Sequence, residues 1–272
     1  MNTILDQILT AKRKEILERK SLYPIKLLEK SIYYESAPLS LKKYLCRPEL
    51  SGIIAEFKRK SPSKGDINPY AEVERTTIGY MQSGASALSV LTDETFFGGK
   101  NEDLITARKF NFCPILRKDF VIDEYQIIEA KSIGADAVLL IASALSANEI
   151  NRFGKLASSL GMEVLLEIHN EKELEKVTDE QFLVGVNNRN LQLMETNLET
   201  AFKLVEKLPK AMIKIAESGL KQPDTIVQLK SAGYQGFLIG ELFMQKSRPE
   251  KACQQFIQAI KKIENQTIQN HV

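Results

Sequence analysis

Short runs rich in Val, Ile and Leu recur along this chain, and stretches with apolar residues three and four apart lie between them. Eight of the short runs read as strands: Gly52–Lys58, Ala85–Leu91, Cys113–Arg117, Ala137–Ile141, Glu163–Ile168, Phe182–Asn187, Met212–Glu217 and Phe237–Gly240. Most are near-continuous apolar runs rather than alternations, the pattern of parallel strands covered on both faces. Helical spacing marks the segments between them, as in Pro69–Ser83, Asp123–Ile133, Ala147–Leu160, Leu198–Leu208 and Gln222–Ala232. Ser146 and Asn197 stand where N-caps belong. Glycine then closes several helices just before a strand, as in Ser83-Gly84-Ala85, Ile133-Gly134-Ala135 and Ala232-Gly233-Tyr234. It accepts the left-handed backbone that ends a helix without strain.

Helix, glycine and strand, repeated eight times in one chain, predict a closed (β/α)8 barrel. An open doubly wound sheet is the alternative, but no Gly-x-Gly-x-x-Gly follows the first strand, which weakens a dinucleotide site. No linker divides the chain, so residues 1–272 read as a single barrel domain, with 1–47 as an N-terminal helical extension. The length suits this, since such barrels run to about 250 residues.

Composition narrows the function classes. Apolar residues make up 43% and charged residues 26%, an ordinary globular balance. A formal net charge of +2 implies no polyanion, and no nucleic-acid partner is expected. The basic cluster Lys12-Arg13-Lys14, followed by Glu15 and Glu18, reads as a solvated helix face. No apolar run reaches the roughly 18 residues of a membrane span, and the N-terminus lacks the pattern of a signal peptide. Cys46, Cys113 and Cys253 are odd in number and scattered, with neither metal-ligand nor disulfide spacing. A reducing cytoplasm is therefore expected. With only His169 and His271 as histidines, a zinc site has little to be built from, and no metal is expected.

Chemistry in such barrels sits at the C-terminal ends of the strands. Polar groups gather there: Glu56 and Lys58, Arg117-Lys118-Asp119, Glu167, Asn187-Asn188-Arg189, Glu217-Ser218-Gly219 and Gly240-Glu241. Any one of them could simply mark where a strand leaves the core, but six of the eight strands end this way. A ring of mixed charge around one mouth suits a polar, anionic ligand and acid–base groups. Arg117 and Asp119 flank Lys118 and should face the other way, so a structural role is expected for them. His169, two residues past Glu167, is expected to act behind that carboxylate or to belong to the loop. Three Ser/Gly-rich loops could hold a phosphate: Ser61-Pro62-Ser63-Lys64-Gly65, Ser218-Gly219, and Gly240 before a short helix at Glu241. Backbone N–H groups and a helix N-terminus favour an anion there, provided the Glu241 side chain turns outward. Phe96-Phe97 falls in a mouth loop, where an aromatic could stack on a ligand ring.

The phrase Ile54-Ala55-Glu56-Phe57-Lys58-Arg59-Lys60-Ser61-Pro62-Ser63 resembles the signature of the indole-3-glycerol phosphate synthases. Leu116-Arg117-Lys118-Asp119-Phe120, Leu165-Leu166-Glu167-Ile168-His169, Gly185-Val186-Asn187-Asn188-Arg189-Asn190-Leu191, Ala216-Glu217-Ser218-Gly219 and Leu238-Ile239-Gly240-Glu241 agree with it in order. So does the opening Ile4-Leu5-Asp6-Gln7-Ile8, with Lys12 and Glu15 after it. The resemblance implies one step of tryptophan biosynthesis, a ring closure with loss of carbon dioxide and water. It also implies no cofactor, a small phosphorylated substrate, and a monomer. It assigns Lys118 as principal acid, Glu167 as base, and Lys58 as holder of the substrate carboxylate and second acid. Glu56, Asn187, Glu217 and Ser218 would support them. Arg189 would take a carboxylate. Ser61, Gly219, Gly240 and Glu241 would hold phosphate, and Phe97, Phe120 and Leu191 would form an apolar slot. The helices of residues 1–47 would lie over the mouth. Two other readings stay open at this point: another phosphate-binding barrel enzyme, such as a phosphosugar-amine isomerase, and a barrel that binds without turnover.

Overall fold

A computed structural model describes residues 3–177, 183–190 and 195–269. Eight parallel strands close into a barrel: β1 (Ile53–Phe57), β2 (Ala87–Leu91), β3 (Ile115–Lys118), β4 (Ala137–Ile141), β5 (Glu163–Ile168), β6 (Leu183–Asn187), β7 (Lys214–Glu217) and β8 (Gly236–Ile239). Each strand pairs with its sequence neighbours, and β1 pairs with β8 to complete the ring. The expected strands differ from these by a residue or two at their ends; Phe182 lies outside the described residues.

The period of two along each strand sorts the side chains into two cores. Ile53, Ala55 and Phe57 of β1 pack outward with Leu88, Val90, Ile115 and Val138 against the helices. Ile54, Leu116, Leu139, Leu165, Ile215 and Leu238 point inward and fill the barrel. The next inward position after Ile54, Leu116, Leu165 and Ile215 is Glu56, Lys118, Glu167 and Glu217. The charged ring is thus the layer directly above the apolar filling, at the C-terminal mouth.

The N-terminal segment serves both ends of the barrel. α1 (Ile4–Leu22) opens with a capping box between Thr3 and Asp6 and runs along the mouth side, with Tyr125 donating to the carbonyls of Arg19 and Tyr23. After α2 (Ile25–Leu28), α3 (Leu41–Leu45) plugs the opposite end. Its Leu41 and Leu45 join the barrel filling, and Ser40 and the Lys42 N–H bind Glu163 at the start of β5. Only part of the extension therefore lies at the mouth, where all of it was expected.

The outer helices are α4 (Val73–Gln82), α6 (Asn101–Phe110), α7 (Glu124–Ser132), α8 (Ala147–Ser159), α9 (Glu199–Val205), α10 (Pro223–Ala232) and α12 (Pro249–Gln269). Two single-turn helices, α5 (Glu94–Phe97) and α11 (Glu241–Met244), sit in mouth loops. A short antiparallel hairpin, Lys60–Ser61 with Gly65–Asp66, follows β1 and was not expected from the sequence. Among the described residues, no helix is long and apolar enough to cross a membrane.

Candidate active site

The mouth begins with the pair that ends β1. Lys58 Nζ donates to Glu56 Oε1 at 2.7 Å, and both side chains are largely buried. Ser89 of β2 is 3.4 Å from the other Glu56 oxygen. Across the β1–β8 junction, Gly240 leaves room for this carboxylate, since a Cβ there would come within 2.5 Å of Glu56 Oε1.

Lys118 stands two strands further round the ring, on β3. Its ammonium lies 3.1 Å from Glu167 Oε2 and 3.7 Å from Glu217 Oε2. Burial alone would favour the neutral amine, but the surrounding carboxylates outweigh it, and the lysine stays charged well above its ordinary range. Burial also opposes charge on Glu167; here Lys118 and His169 win, and the carboxyl lies well below its ordinary value. Glu217 goes the other way: burial and the adjacent Glu167 anion push it up to about 8. Two neighbouring carboxyls thus share one proton, carried by Glu217. Glu217 Oε1 has no hydrogen-bond partner and sits tight against Gly185, where any side chain would collide with it. Register places these groups together: Asn187 pairs with Glu217, and Glu167 with Gly185.

Behind Glu167 stands His169. Its Nε2 is 3.2 Å from Glu167 Oε1 and its Nδ1 is 3.4 Å from Glu173 Oε2. Burial would lower the ring's pKa, yet the two carboxylates raise it to about 10.

The other half of the mouth is a cavity of 930 Å³, bordered by Lys58, Ser63, Arg189, Ser218, Gly219 and Glu241. Ser61 is buried, its hydroxyl 3.4 Å from that of Ser63. Ser218 and Gly219 both adopt left-handed backbone, with φ of 64° and 77°. Such a conformation is costly for serine and is retained where the surroundings enforce it. Asn188 does so: its Nδ2 donates to the carbonyls of Glu217 and Ser218, and its Oδ1 accepts from the Ala201 N–H.

The structure thus brings together Glu56 with Lys58, and Lys118 with Glu167 and Glu217. Asn187 lies beside them, its Oδ1 accepting from the Arg189 N–H at 3.0 Å. Phe97 and Phe120 face each other with ring centroids 5.9 Å apart. Leu191 lies outside the described residues. One expectation changes. The Glu241 side chain does not turn outward: it lines the cavity, with Oε2 3.5 Å from Arg189 Nη2. Arg189 itself reaches across to Ser63 Oγ at 3.2 Å, so its guanidinium borders the loop expected to hold phosphate.

Lys12 is a correction of larger consequence. It is not on a solvated face but 1% exposed, 2.8 Å from Glu15, 3.0 Å from Asp93 and 2.9 Å from Asp119. Asp93 caps α5, which carries Phe97, and Asp119 accepts from the N–H of Phe120. Lys12 therefore ties α1 to both aromatic rings of the expected slot. Its spacing held the signal: Ile8, Lys12 and Ile16 share one buried stripe of α1. Ser89, also missed, carries no signal beyond lying inward on β2; Asn188 is among the polar residues noted at its strand end, but nothing in the pattern separates its role from that of Asn187.

A second groove, 810 Å³, lies outside the barrel between α4 and α12. Its arginines, Arg75 and Arg248, are both engaged by Glu250. Among the described residues no cluster of His, Cys, Asp and Glu is suited to a metal ion.

The family model described as indole-3-glycerol phosphate synthase matches residues 5–256. A protein of that name from Bacteroides thetaiotaomicron is 46% identical over 260 residues, covering 96% of this chain and all of its own length, 100%. Its namesake from Carboxydothermus hydrogenoformans is 40% identical over 92% of this chain and 98% of its own. Among solved structures, a mutant tryptophan synthase alpha-subunit from Pyrococcus furiosus superposes with a TM-score of 0.60 at 14% identity, covering 79% of this chain and 99% of its own. A thiamine phosphate pyrophosphorylase from the same organism gives 0.59 at 16% identity, covering 82% and 99%. At such identities these structures speak for the barrel fold alone.

Proposed function

The chain belongs to the indole-3-glycerol phosphate synthase family, and from that premise we propose how its mouth residues divide the reaction. The enzyme is a carboxy-lyase of L-tryptophan biosynthesis. It closes 1-(2-carboxyphenylamino)-1-deoxyribulose 5-phosphate to indole-3-glycerol phosphate, releasing carbon dioxide and water.

In our reading Lys118 is the first acid. The ring carbon that bears the carboxylate attacks the ketone, and the electron pair of the C=O bond moves to oxygen. An ammonium held between Glu167 and Glu217 above the last apolar layer is the observation that carries this role. It is charged, buried and aimed into the mouth, so it can give a proton as the oxyanion forms. Decarboxylation then returns an electron pair to the ring. Dehydration needs a base to take a proton and an acid to protonate the departing hydroxyl. Glu167 is the base. At rest Lys118 suppresses its basicity; once Lys118 has given up its proton, that restraint relaxes and Glu167 becomes the better acceptor. Lys58, oriented by Glu56, holds the anthranilate carboxylate and serves as the second acid.

Glu217 keeps its proton and supports the Lys118–Glu167 pair from the side. Ser61, the left-handed turn of Ser218 and Gly219, and the backbone at Gly240 and Glu241 take the phosphate, with Arg189 at the rim. Arg189 exchanges Glu241 for an anionic group of the substrate; its planar fork suits either carboxylate or phosphate. Phe97, Phe120 and Leu191 enclose the aromatic ring. The protein works as a monomeric, single-domain enzyme of the cytoplasm, without metal or organic cofactor.

Incubating the protein with the carboxyphenylamino substrate and following the rise of indole fluorescence tests the activity directly. No fluorescence with intact substrate consumed to another product would sink this reading.

A further inference from the structure

One buried ionisable group at the mouth has no part in this division of roles. His169 lies two residues beyond Glu167, where β5 gives way to a short 3-10 helix, Glu171–Lys176. It is 8% exposed. Glu167 divides its two oxygens: Oε2 faces Lys118 at 3.1 Å, and Oε1 faces the His169 ring at 3.2 Å, an ion-pair distance at which Nε2 makes no aligned hydrogen bond, so the hold is one of charge. The ring's other nitrogen faces Glu173, and Glu173 is itself pinned. It accepts from the His169 N–H at 2.8 Å and from Asn170 Nδ2 at 2.9 Å. Lys118, Glu167, His169 and Glu173 therefore form a row of alternating charge running from the mouth into the 3-10 helix.

We propose that His169 is a positioning residue for the reaction: clamped by Glu173 as an imidazolium, it fixes one oxygen of Glu167 and so keeps the other aimed at Lys118. The inference rests on the assignment of Glu167 as the base. The carboxylate needs such a hold because its conjugate proton sits next door on Glu217, and a free carboxyl could rotate to share it. A neutral residue in place of His169 would still fill space but would neither anchor Oε1 nor oppose its protonation. The titratable groups facing this centre are Lys118 from β3, Glu217 (protonated) from β7, Glu56 from β1 and Glu173 from the short 3-10 helix after β5.

A His169→Asn enzyme tests this, with Glu173→Gln beside it and Glu167→Gln as reference. For His169→Asn we expect kcat to fall roughly 10- to 100-fold, the scale on which a misplacement of about 1 Å acts, with KM unchanged. The acid limb of kcat should move to higher pH, because Glu167 loses a stabilising cation. Glu173→Gln leaves the ring in place but removes one of the two carboxylates that keep it protonated. Its kcat should fall less at neutral pH, and the further loss that follows deprotonation of the ring, near pH 10 in the wild type, should move to lower pH. Should His169→Asn not fold, Glu173→Gln carries the test through that alkaline limb. A purely structural histidine predicts a lower Tm with kcat and both pH limbs unmoved; that outcome overturns the proposal. The reference keeps the two claims apart. Turnover by Glu167→Gln near the wild-type rate overturns the base assignment, whereas a dead Glu167→Gln beside an unaltered His169→Asn overturns only the role of His169.

Discussion

Three consecutive residues, Arg117-Lys118-Asp119, feed two buried charge networks that differ in kind. Arg117 and Asp119 point out of the barrel; Lys118 points in. On the outside, Arg117 binds Glu129, Asp119 and the Gln126 carbonyl, while Lys12 and Arg19 of α1 close the remaining sides of Asp119 and Glu129. Every carboxylate there meets a cation. Inside, one lysine serves two carboxyls, and one of these stays protonated with an oxygen lacking a hydrogen-bond partner. The outer network is closed in charge, as a network that fixes elements should be, although Asn101, which accepts from Arg117, leaves its own Nδ2 without a partner. The inner one is open, with an acid, a base and a spare proton held for a ligand.

Removing the central cation of each should therefore have opposite consequences. Lys118→Ala is expected to lose turnover by roughly 10²–10⁴-fold, the usual worth of a general acid, with substrate binding largely kept. Its Tm should change little, since Glu217 already carries a proton and Glu167 keeps His169. A mutant above about a tenth of wild-type turnover would end the assignment of Lys118 as acid.

The mirror experiment is Arg117→Met. It strands Glu129 and Asp119 with fewer partners in a site where the arginine is 2% exposed. Removing one member of such a buried pair costs about 3–5 kcal/mol. Denaturant unfolding should show that loss, while kcat per folded molecule stays near wild type. A large loss of kcat in fully folded Arg117→Met would show that the two networks are one.

This division is largely legible in the sequence. Alternation along β3 already separates Arg117 and Asp119 from Lys118, because period two is a property of the strand and not of its surroundings. The same rule places Glu56, Glu167 and Glu217 on the inner face. What the chain does not disclose depends on contacts between distant segments. Lys12 looks like one of three basic residues on a surface until the fold carries α1 against Asp93 and Asp119. The proton on Glu217 follows from Glu167 lying beside it, fifty positions earlier in sequence and two strands away, across Gly185 of β6. The hairpin after β1 and the Arg189–Glu241 pair arise from loop conformation, for which local pattern carries little information.

The spare proton can be tested by itself. As pH rises through about 8, Glu217 ionises and adds a second anion beside Lys118. The lysine is then held more tightly and becomes a poorer acid, so kcat should decline there. Glutamine imitates the neutral carboxyl. Glu217→Gln should keep turnover within about tenfold of wild type, well inside the loss expected for an acid or base, and should shift the alkaline decline above pH 8. Single-turnover rates across the pH range, which isolate chemistry from release, are the measurement. A decline still centred near 8 in Glu217→Gln would assign that limb to another group.

The smallest effect separates the networks by stability alone. Asp119 and Glu129 have depressed pKa values, so what they add to stability is present above their unfolded values and lost only as pH falls. His169 is raised from 6.5 to about 10, so its contribution is complete below 6.5 and lost as pH climbs toward 10. Glu217, raised from 4.5 to about 8, likewise favours the folded state while protonated and loses that advantage over the same direction of pH. Between pH 6.5 and about 9 the loss of stability should then come from the mouth, with the outer network indifferent to it; nearer pH 10 the buried thiols of Cys113 and Cys253, raised from 9.0 to about 12, add a loss common to every variant. Tm measured from pH 6.5 to 10 should slope downward in the wild type and more gently in His169→Asn, while Arg117→Met lies lower throughout but keeps the wild-type slope. If Arg117→Met flattens the slope and His169→Asn does not, the inner row is not held by an imidazolium, and the contrast between an open and a closed network loses its physical basis.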